Sequence, residues 1–193
     1  MTSTLKKISR RVALTLAVSA CFSPVTQAAE LLTEGVFKVG MEVTYPPFES
    51  YDSNNNIVGL DPDFAALIAQ HLQAKPQLID TKFTSLILGI GKKYDAVISG
   101  MYVTPERQKQ ADAIPYALSG ASIIALKGGA VQPKTEDELC GVKVGLQAGT
   151  TWVTSLKKHS DEWCLKNGKP AITIQEFPTA PEASQALLSK NIG

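Results

Sequence analysis

The sequence predicts an α/β protein with a largely parallel sheet, and three observations predict it. Hydrophobic residues make up 44% of the 193 residues and charged residues 19%, the balance of a chain that buries a core rather than of a disordered or fibrous one. From Phe37 to Ile98, short apolar runs alternate with helical patterns in the order strand, helix, strand, helix, strand. Such alternation favours parallel strands joined by helical crossovers. Helix starts are marked by a capping residue followed by proline, at Asp61-Pro62 and Thr104-Pro105.

The first stretch is different in kind. Lys6, Lys7, Arg10 and Arg11 precede the apolar run from Val12 to Phe22, and small residues follow around Ala28. This is the layout of a secretory signal peptide over residues 1–28, too short to cross a bilayer as a helix. A cut after Ala28 gives a soluble product; Val18-Ser19-Ala20-Cys21 also resembles a lipobox, in which Cys21 becomes a lipidated N-terminus. Removing residues 1–28 takes the formal net charge from +1 to −3, which leaves no basic excess for nucleic acid. Cys140 and Cys164 remain as a pair. In an oxidising compartment they read as a disulfide bracketing one strand–helix unit, with two buried free thiols as the other reading.

Along the chain, Phe37 to Met41 reads as a strand. Asp61 reads as the N-cap of a helix that begins at Pro62, with Phe64, Leu67, Ile68 and Leu72 on one face and His71 at that face's edge. Gln77 to Asp80 is a second strand, Thr84 to Lys92 a second helix and Tyr94 to Ile98 a third strand. Thr104-Pro105-Glu106 opens a short helix, and Ser122 to Leu126 suits a buried strand. Lys127-Gly128-Gly129 then marks a hinge, or a surface turn, dividing the chain into 37–126 and 127–193. Beyond it come a helical turn at Thr135 to Leu139, a strand Val142 to Leu146, a helix after Thr150, a strand Ile172 to Glu176 and a helix opened by the capping box of Thr179 and Glu182. This second portion is shorter than the roughly hundred residues such a lobe uses to close a core, so the sequence reads as C-terminally truncated.

Several chemistries find no support. His71 and His159 have no partner at metal-ligand spacing, and no Cys-x-x-Cys occurs, which argues against zinc. No nucleophile elbow, phosphate-binding loop or dinucleotide fingerprint is present, and no cofactor is expected. What remains is a set of polar and aromatic groups at the C-terminal ends of strands, where open α/β sheets hold ligands. Glu42, Tyr45 and Phe48 follow the first strand; Ser99, Gly100, Tyr102 and Arg107 follow the third. Arg107 lies in the first turn of a proline-initiated helix, where a guanidinium adds two parallel hydrogen bonds to a carboxylate. Spacing alone reads it equally as a solvated surface arginine.

Val39-Gly40 with Tyr45-Pro46-Pro47-Phe48-Glu49-Ser50, Gly59-Leu60-Asp61-Pro62-Asp63-Phe64, Tyr94 to Met101, Thr104-Pro105-Glu106-Arg107 and Val144 to Thr151 together resemble the polar amino-acid-binding proteins of bacterial ABC importers, from about Phe37 to Gly193. The resemblance implies a two-lobed periplasmic-binding-protein-like (type II) fold with the second lobe incomplete, no enzymatic activity, a monomer in the periplasm, and partners comprising an amino-acid ligand and a membrane permease. It implies that Tyr45 and Phe83 sandwich the ligand, that backbone groups of Ser99 and Gly100 with Arg107 hold its carboxylate and part of its amine, and that Gln147 and Thr151 reach in from the second lobe. Glu42 would favour a cationic or strongly polar side chain. Phe48 is read as core, and Trp152 as either capping the cleft or packing locally. Two departures stand out. Tyr102 replaces a small hydroxyl residue, and the acidic partner of the ligand's ammonium falls beyond Gly193, which implies weak binding by these residues alone. Cyclohexadienyl dehydratases share the resemblance, and Glu42 would be the cleft acid of such an enzyme.

Overall fold

The structure is a computed structural model that describes residues 30–193. The expected signal peptide and the lipidation of Cys21 lie outside the described residues. Two small parallel sheets, each with its own helices, build the molecule.

The first sheet is organised by β1 (Val36–Met41). Its alternation puts Phe37, Val39 and Met41 in the core on one face, while Gly40 on the other is buried as well. β1 pairs in parallel with Lys75–Asp80 along its whole length, from Val36↔Lys75 to Met41↔Asp80, and with Ala96–Val97 on its other edge. Between β1 and these partners lie a hairpin of β2 (Ser50–Tyr51) and β3 (Ile57–Val58), which sequence reading did not anticipate, and α1 (Leu60–His71). Lys75–Asp80 is therefore β4 and Ala96–Val97 is β5, in the order β4-β1-β5.

Helix α1 departs from expectation at both ends. It begins at Leu60, and Gly59 at φ 136° is its N-cap, with no side-chain cap. The amides of Leu60 and Asp61 donate instead to the carbonyls of Pro47 and Phe48 at 3.1 and 3.0 Å. A Cβ at residue 59 would meet the Phe48 oxygen at 2.2 Å, so glycine is required both by φ and by this close approach. Asp61 is thus not a cap; it is fully buried. The face turned to the sheet is Ala65 and Ala69 with Phe64, Ile68 and Leu72 around them, whereas Leu67 is 62% exposed. His71 is exposed at the helix end rather than packed.

The expected helix from Thr84 to Lys92 shrinks to a 3-10 turn, Phe83–Ser85, and the single turn α2 (Leu86–Gly89). Tyr94 ends it. Its buried hydroxyl donates to the Leu86 carbonyl at 2.5 Å, the group a continuing helix would give to the Ile90 amide. The Tyr94 ring lies on Gly40 and Gly89, where an added Cβ would come within 2.7 and 2.2 Å of it. The strand expected from Tyr94 to Ile98 is the two-residue β5.

Thr104 caps α3 (Pro105–Gln108) as expected, its hydroxyl accepting from the Arg107 amide at 3.2 Å. Ser122 to Leu126 is not a strand. Ile123 and Ile124 are 40% and 71% exposed, and the segment pairs with none of the described strands; an apolar run becomes a strand only when a neighbour accepts its ladder. Leu126 packs instead against the last helix.

The second sheet pairs β6 (Lys143–Gln147) with β7 (Thr173–Phe177) in parallel. α4 (Thr151–His159) connects them through a π turn, and α5 (Ala180–Leu188) follows β7 with both halves of the Thr179–Glu182 capping box formed. Leu139, Leu156, Cys164 and Ile172 form its core, and Cys140 and Cys164 are joined in a disulfide. Among the described residues no helix is long and apolar enough to cross a membrane.

Because the disulfide closes a loop of 24 residues in sequence around a core of few side chains, the C140S/C164S double variant is expected to lose about 2–4 kcal/mol of stability, measured by urea denaturation.

Candidate functional site

The two sheets face one another across a cleft of about 490 Å³. The C-terminal ends of β1, β5 and β6 all open onto it, because parallel strands in one sheet end on the same side. The structure brings all nine expected ligand-contacting residues to its walls: seven from the first sheet and its loops, and Gln147 and Thr151 from the second.

Glu42 directly follows β1 and is buried. One carboxylate oxygen accepts from the Phe83 amide at 3.2 Å; the other accepts from the Thr44 hydroxyl at 3.2 Å and, across the cleft, from the Gln147 amide nitrogen. Three donors therefore hold this carboxylate in place while its position on the wall leaves it facing the cleft.

Tyr45 is 43% exposed and stacks on Phe48 with ring centroids 5.2 Å apart and planes 4° from parallel. Phe48 is thus a half-buried backing for Tyr45, not core. The Tyr45 ring also lies over Gly100, where a Cβ would sit 3.3 Å from it.

Ser99 and Gly100 follow β5. The Gly100 amide already donates to Asp61 Oδ2 at 2.8 Å and to the Tyr116 hydroxyl at 3.0 Å. It is not free for a ligand carboxylate. The Ser99 hydroxyl accepts from the Glu42 amide at 3.0 Å and donates to Glu49 at 2.6 Å. The two carbonyls accept nothing among the described residues, so the turn offers acceptors, which suit an ammonium rather than an anion.

Arg107 supplies the cation. Its guanidinium donates to the carbonyls of Tyr102 at 2.7 Å and Gly149 at 3.0 Å, and lies 5.7 Å from the centre of the Phe83 ring. No carboxylate pairs with it among the described residues. Burial lowers its pKa from the ordinary value, the direction expected of a cation moved out of water without a counter-charge. Phe83 forms part of its bed as well as part of the cleft wall. Tyr102 contributes its carbonyl to Arg107, while its ring meets Trp152 edge-on at 5.0 Å; Trp152 therefore lies on the cleft wall against Tyr102. Thr151 opens α4, whose N-terminal turn also lines the cleft.

Sequence reasoning missed Glu49, which lines the cleft, and Asp61 and Tyr116, which hold the Gly100 amide behind it. Asp61 was masked by its position before a proline, which mimics a cap. Tyr116 has no local signal, since it reaches Asp61 across 55 residues. No cluster of residues able to hold a metal occurs among the described residues.

Residues 37–187 match the profile of the bacterial extracellular solute-binding proteins, family 3. The ABC transporter arginine-binding protein 1 of Escherichia coli (strain K12) is 42% identical over 137 residues, covering 70% of this chain and 53% of that protein. The L-cystine-binding protein TcyJ of the same strain is 33% identical over 149 residues, 75% of this chain and 53% of its own. Among solved structures, an ancestral arginine-binding protein bound to arginine superposes with a TM-score of 0.74 at 36% identity, covering 82% of this chain and 67% of that one. The chain spans about half the length of the curated relatives it matches. It belongs to the family 3 solute-binding proteins, and its fold is the two-lobed α/β fold of its structural neighbours.

Thr104 fixes the helix that carries Arg107, so Thr104→Ala is expected to cost about 1 kcal/mol of stability, checked by chemical denaturation.

Proposed function

We propose that this family 3 member captures a polar or basic amino acid between its lobes, 37–126 and 127–193, in the periplasm and delivers it to an ABC transporter permease. The observation that carries the reading is Arg107: a partly buried guanidinium on the cleft wall, seated on Phe83 and two carbonyls, with no protein carboxylate beside it among the described residues. A buried cation without a partner is costly, and a ligand carboxylate removes that cost. The other ligand groups find complements nearby. The carbonyls after β5 suit the α-ammonium, Tyr45 and Phe83 give apolar walls, and Glu42 lies where a cationic or polar side chain would reach it.

The relatives' names support the choice of ligand class, since they are binding proteins for arginine and for L-cystine. The contacts already made across the cleft, Gln147 to Glu42 and Arg107 to Gly149, support capture by closure. A ligand touching both lobes favours the closed state by whatever it binds more tightly there. Glu42 suits recognition better than catalysis. Its carboxylate is an acceptor from three fixed donors, which leaves it poorly placed to deliver a proton.

Calorimetric titration of the complete protein with a panel of amino acids is expected to give saturable heat for a polar or basic member. A panel with neither heat nor a thermal shift would overturn the reading, as would consumption of prephenate or arogenate on incubation. Arg107→Ala is expected to weaken binding of every amino acid by about a hundredfold or more, within the ~2–5 kcal/mol cost of truncating a desolvated charge pair. Glu42→Gln is expected to weaken cationic side chains about tenfold more than neutral ones, measured as the ratio of the two affinities.

A further inference from the structure

Two buried carboxyl groups, Glu49 in the cleft wall and Asp61 behind it, have no part in the ligand contacts described above. Glu49 is 1% exposed and Asp61 is fully buried. Each has one satisfied and one orphaned oxygen. Glu49 Oε1 accepts from Ser99 Oγ at 2.6 Å, and Asp61 Oδ2 accepts from the Gly100 amide and the Tyr116 hydroxyl at 2.8 and 2.9 Å. Glu49 Oε2 and Asp61 Oδ1 have no partner when both groups are counted as ionised. Two orphaned acceptors in one buried site are costly, and the loop and helix that carry them are joined at this point: the Asp61 amide donates to the Phe48 carbonyl at 3.0 Å, and the adjacent residues Ser99 and Gly100 bind the other oxygen of each carboxyl. A single proton on Glu49 Oε2, donated to Asp61 Oδ1, satisfies both at once.

The neighbours decide which group keeps it. Asp61 receives two donors and sits in the first turn of α1, where the helix N-terminus favours an anion. Glu49 receives one donor. The titratable groups that face Glu49 are Asp61 on α1 and Glu42 after β1, both acidic, and Tyr116 beyond Asp61; no cation acts on it.

We propose that Glu49 and Asp61 form a buried acid–carboxylate pair holding one proton, and that this proton is a positioning element of the ligand site. The pair ties the loop after β1 to the start of α1, and through Ser99 and Gly100 to the turn whose carbonyls face the cleft. Losing the proton sets two anions in contact in a dry site, and the relief available is separation of the loop from the helix, which carries the Ser99–Gly100 turn with it.

Burial, and then the charge and hydrogen bond of Asp61, push the Glu49 pKa up to about 8, although the Ser99 bond acts in the other direction. A carboxyl raised in the folded state contributes stability that is fully present below its unfolded value of about 4.5 and lost as pH rises through about 8. Ligand affinity, which depends on the proton in the folded state alone, falls as pH rises through and above about 8.

The substitution that isolates the effect is Glu49→Gln, which keeps a donor toward Asp61 and an acceptor for Ser99 but cannot lose a proton in this range. The link to ligand rests on the binding function proposed above; the pair itself does not. Thermal denaturation of the complete protein without ligand is expected to show wild-type stability declining from about pH 5 to about pH 8 relative to E49Q. Infrared spectra near neutral pH are expected to show a protonated carboxylic acid that titrates near pH 8 and is missing in E49Q. With a bound amino acid, wild-type affinity is expected to fall about tenfold from about pH 7 to about pH 9 relative to E49Q; that comparison cancels titration of the ligand's own amine. Parallel pH profiles for the two proteins, or no protonated carboxyl in the infrared spectrum, would overturn the pair. Should E49Q fail to fold, the infrared titration of the wild type decides alone. If the carboxyl titrates as expected and no amino acid binds, the pair stands and the binding function fails. A titrating carboxyl with an affinity profile identical to that of E49Q would overturn the positioning role alone.

Discussion

Strand β1 is hydrogen-bonded on both edges, to β4 along its full length and to β5 near its end. This double pairing fixes where the next residues begin. Glu42 follows immediately, and its amide, having no further strand partner, takes the Ser99 hydroxyl from the end of β5. Val43 likewise takes Asp80 from the end of β4. Three strand ends are thus stitched together by side chains at the point where the backbone ladder stops. The cleft wall is the result. Buried donors at a strand terminus must be satisfied, and here their satisfaction builds the site.

Charge is laid out along the same wall. Arg107 stands at one place with carbonyls and an aromatic ring but no carboxylate among the described residues; Glu42 stands at another with neutral donors only. The two do not neutralise each other. On the proposed function, their separation would leave a cationic and an anionic group for one ligand to meet. Such an arrangement suits a zwitterion. Burial, and only to a lesser degree the charge of Glu42, favours the proton on Glu49 in this wall.

Much of this was legible in the residues. β1, α3 with its Thr104 cap, β6, β7 and the Thr179 capping box follow from alternation and capping, which are local. Elements set by a distant partner were not. The second helix stops at Gly89 because Tyr94 takes a carbonyl that only the folded chain brings to it. Ser122 to Leu126 has the composition of a strand, but composition cannot tell whether a free edge exists. Leu67 fits the helical period and still points outward, since the alanines Ala65 and Ala69 pack closer to the sheet.

The sequence by itself determined the α/β class and the pairing of Cys140 with Cys164 as a candidate bond, because these depend on composition and on spacing along the chain, while Phe83, Gln147 and Thr151 were expected at the cleft only through the family resemblance of their motifs. Only the tertiary structure decided what the residues at the cleft do. It showed that the Gly100 amide is already taken by Asp61, that Phe48 backs Tyr45 instead of filling the core, and that Glu49 and Asp61 are both buried with one orphaned oxygen each. The reason is physical. Whether a polar group is free, satisfied or orphaned depends on what lies within about 3 Å of it, and residues 39 to 55 positions apart supply those partners here.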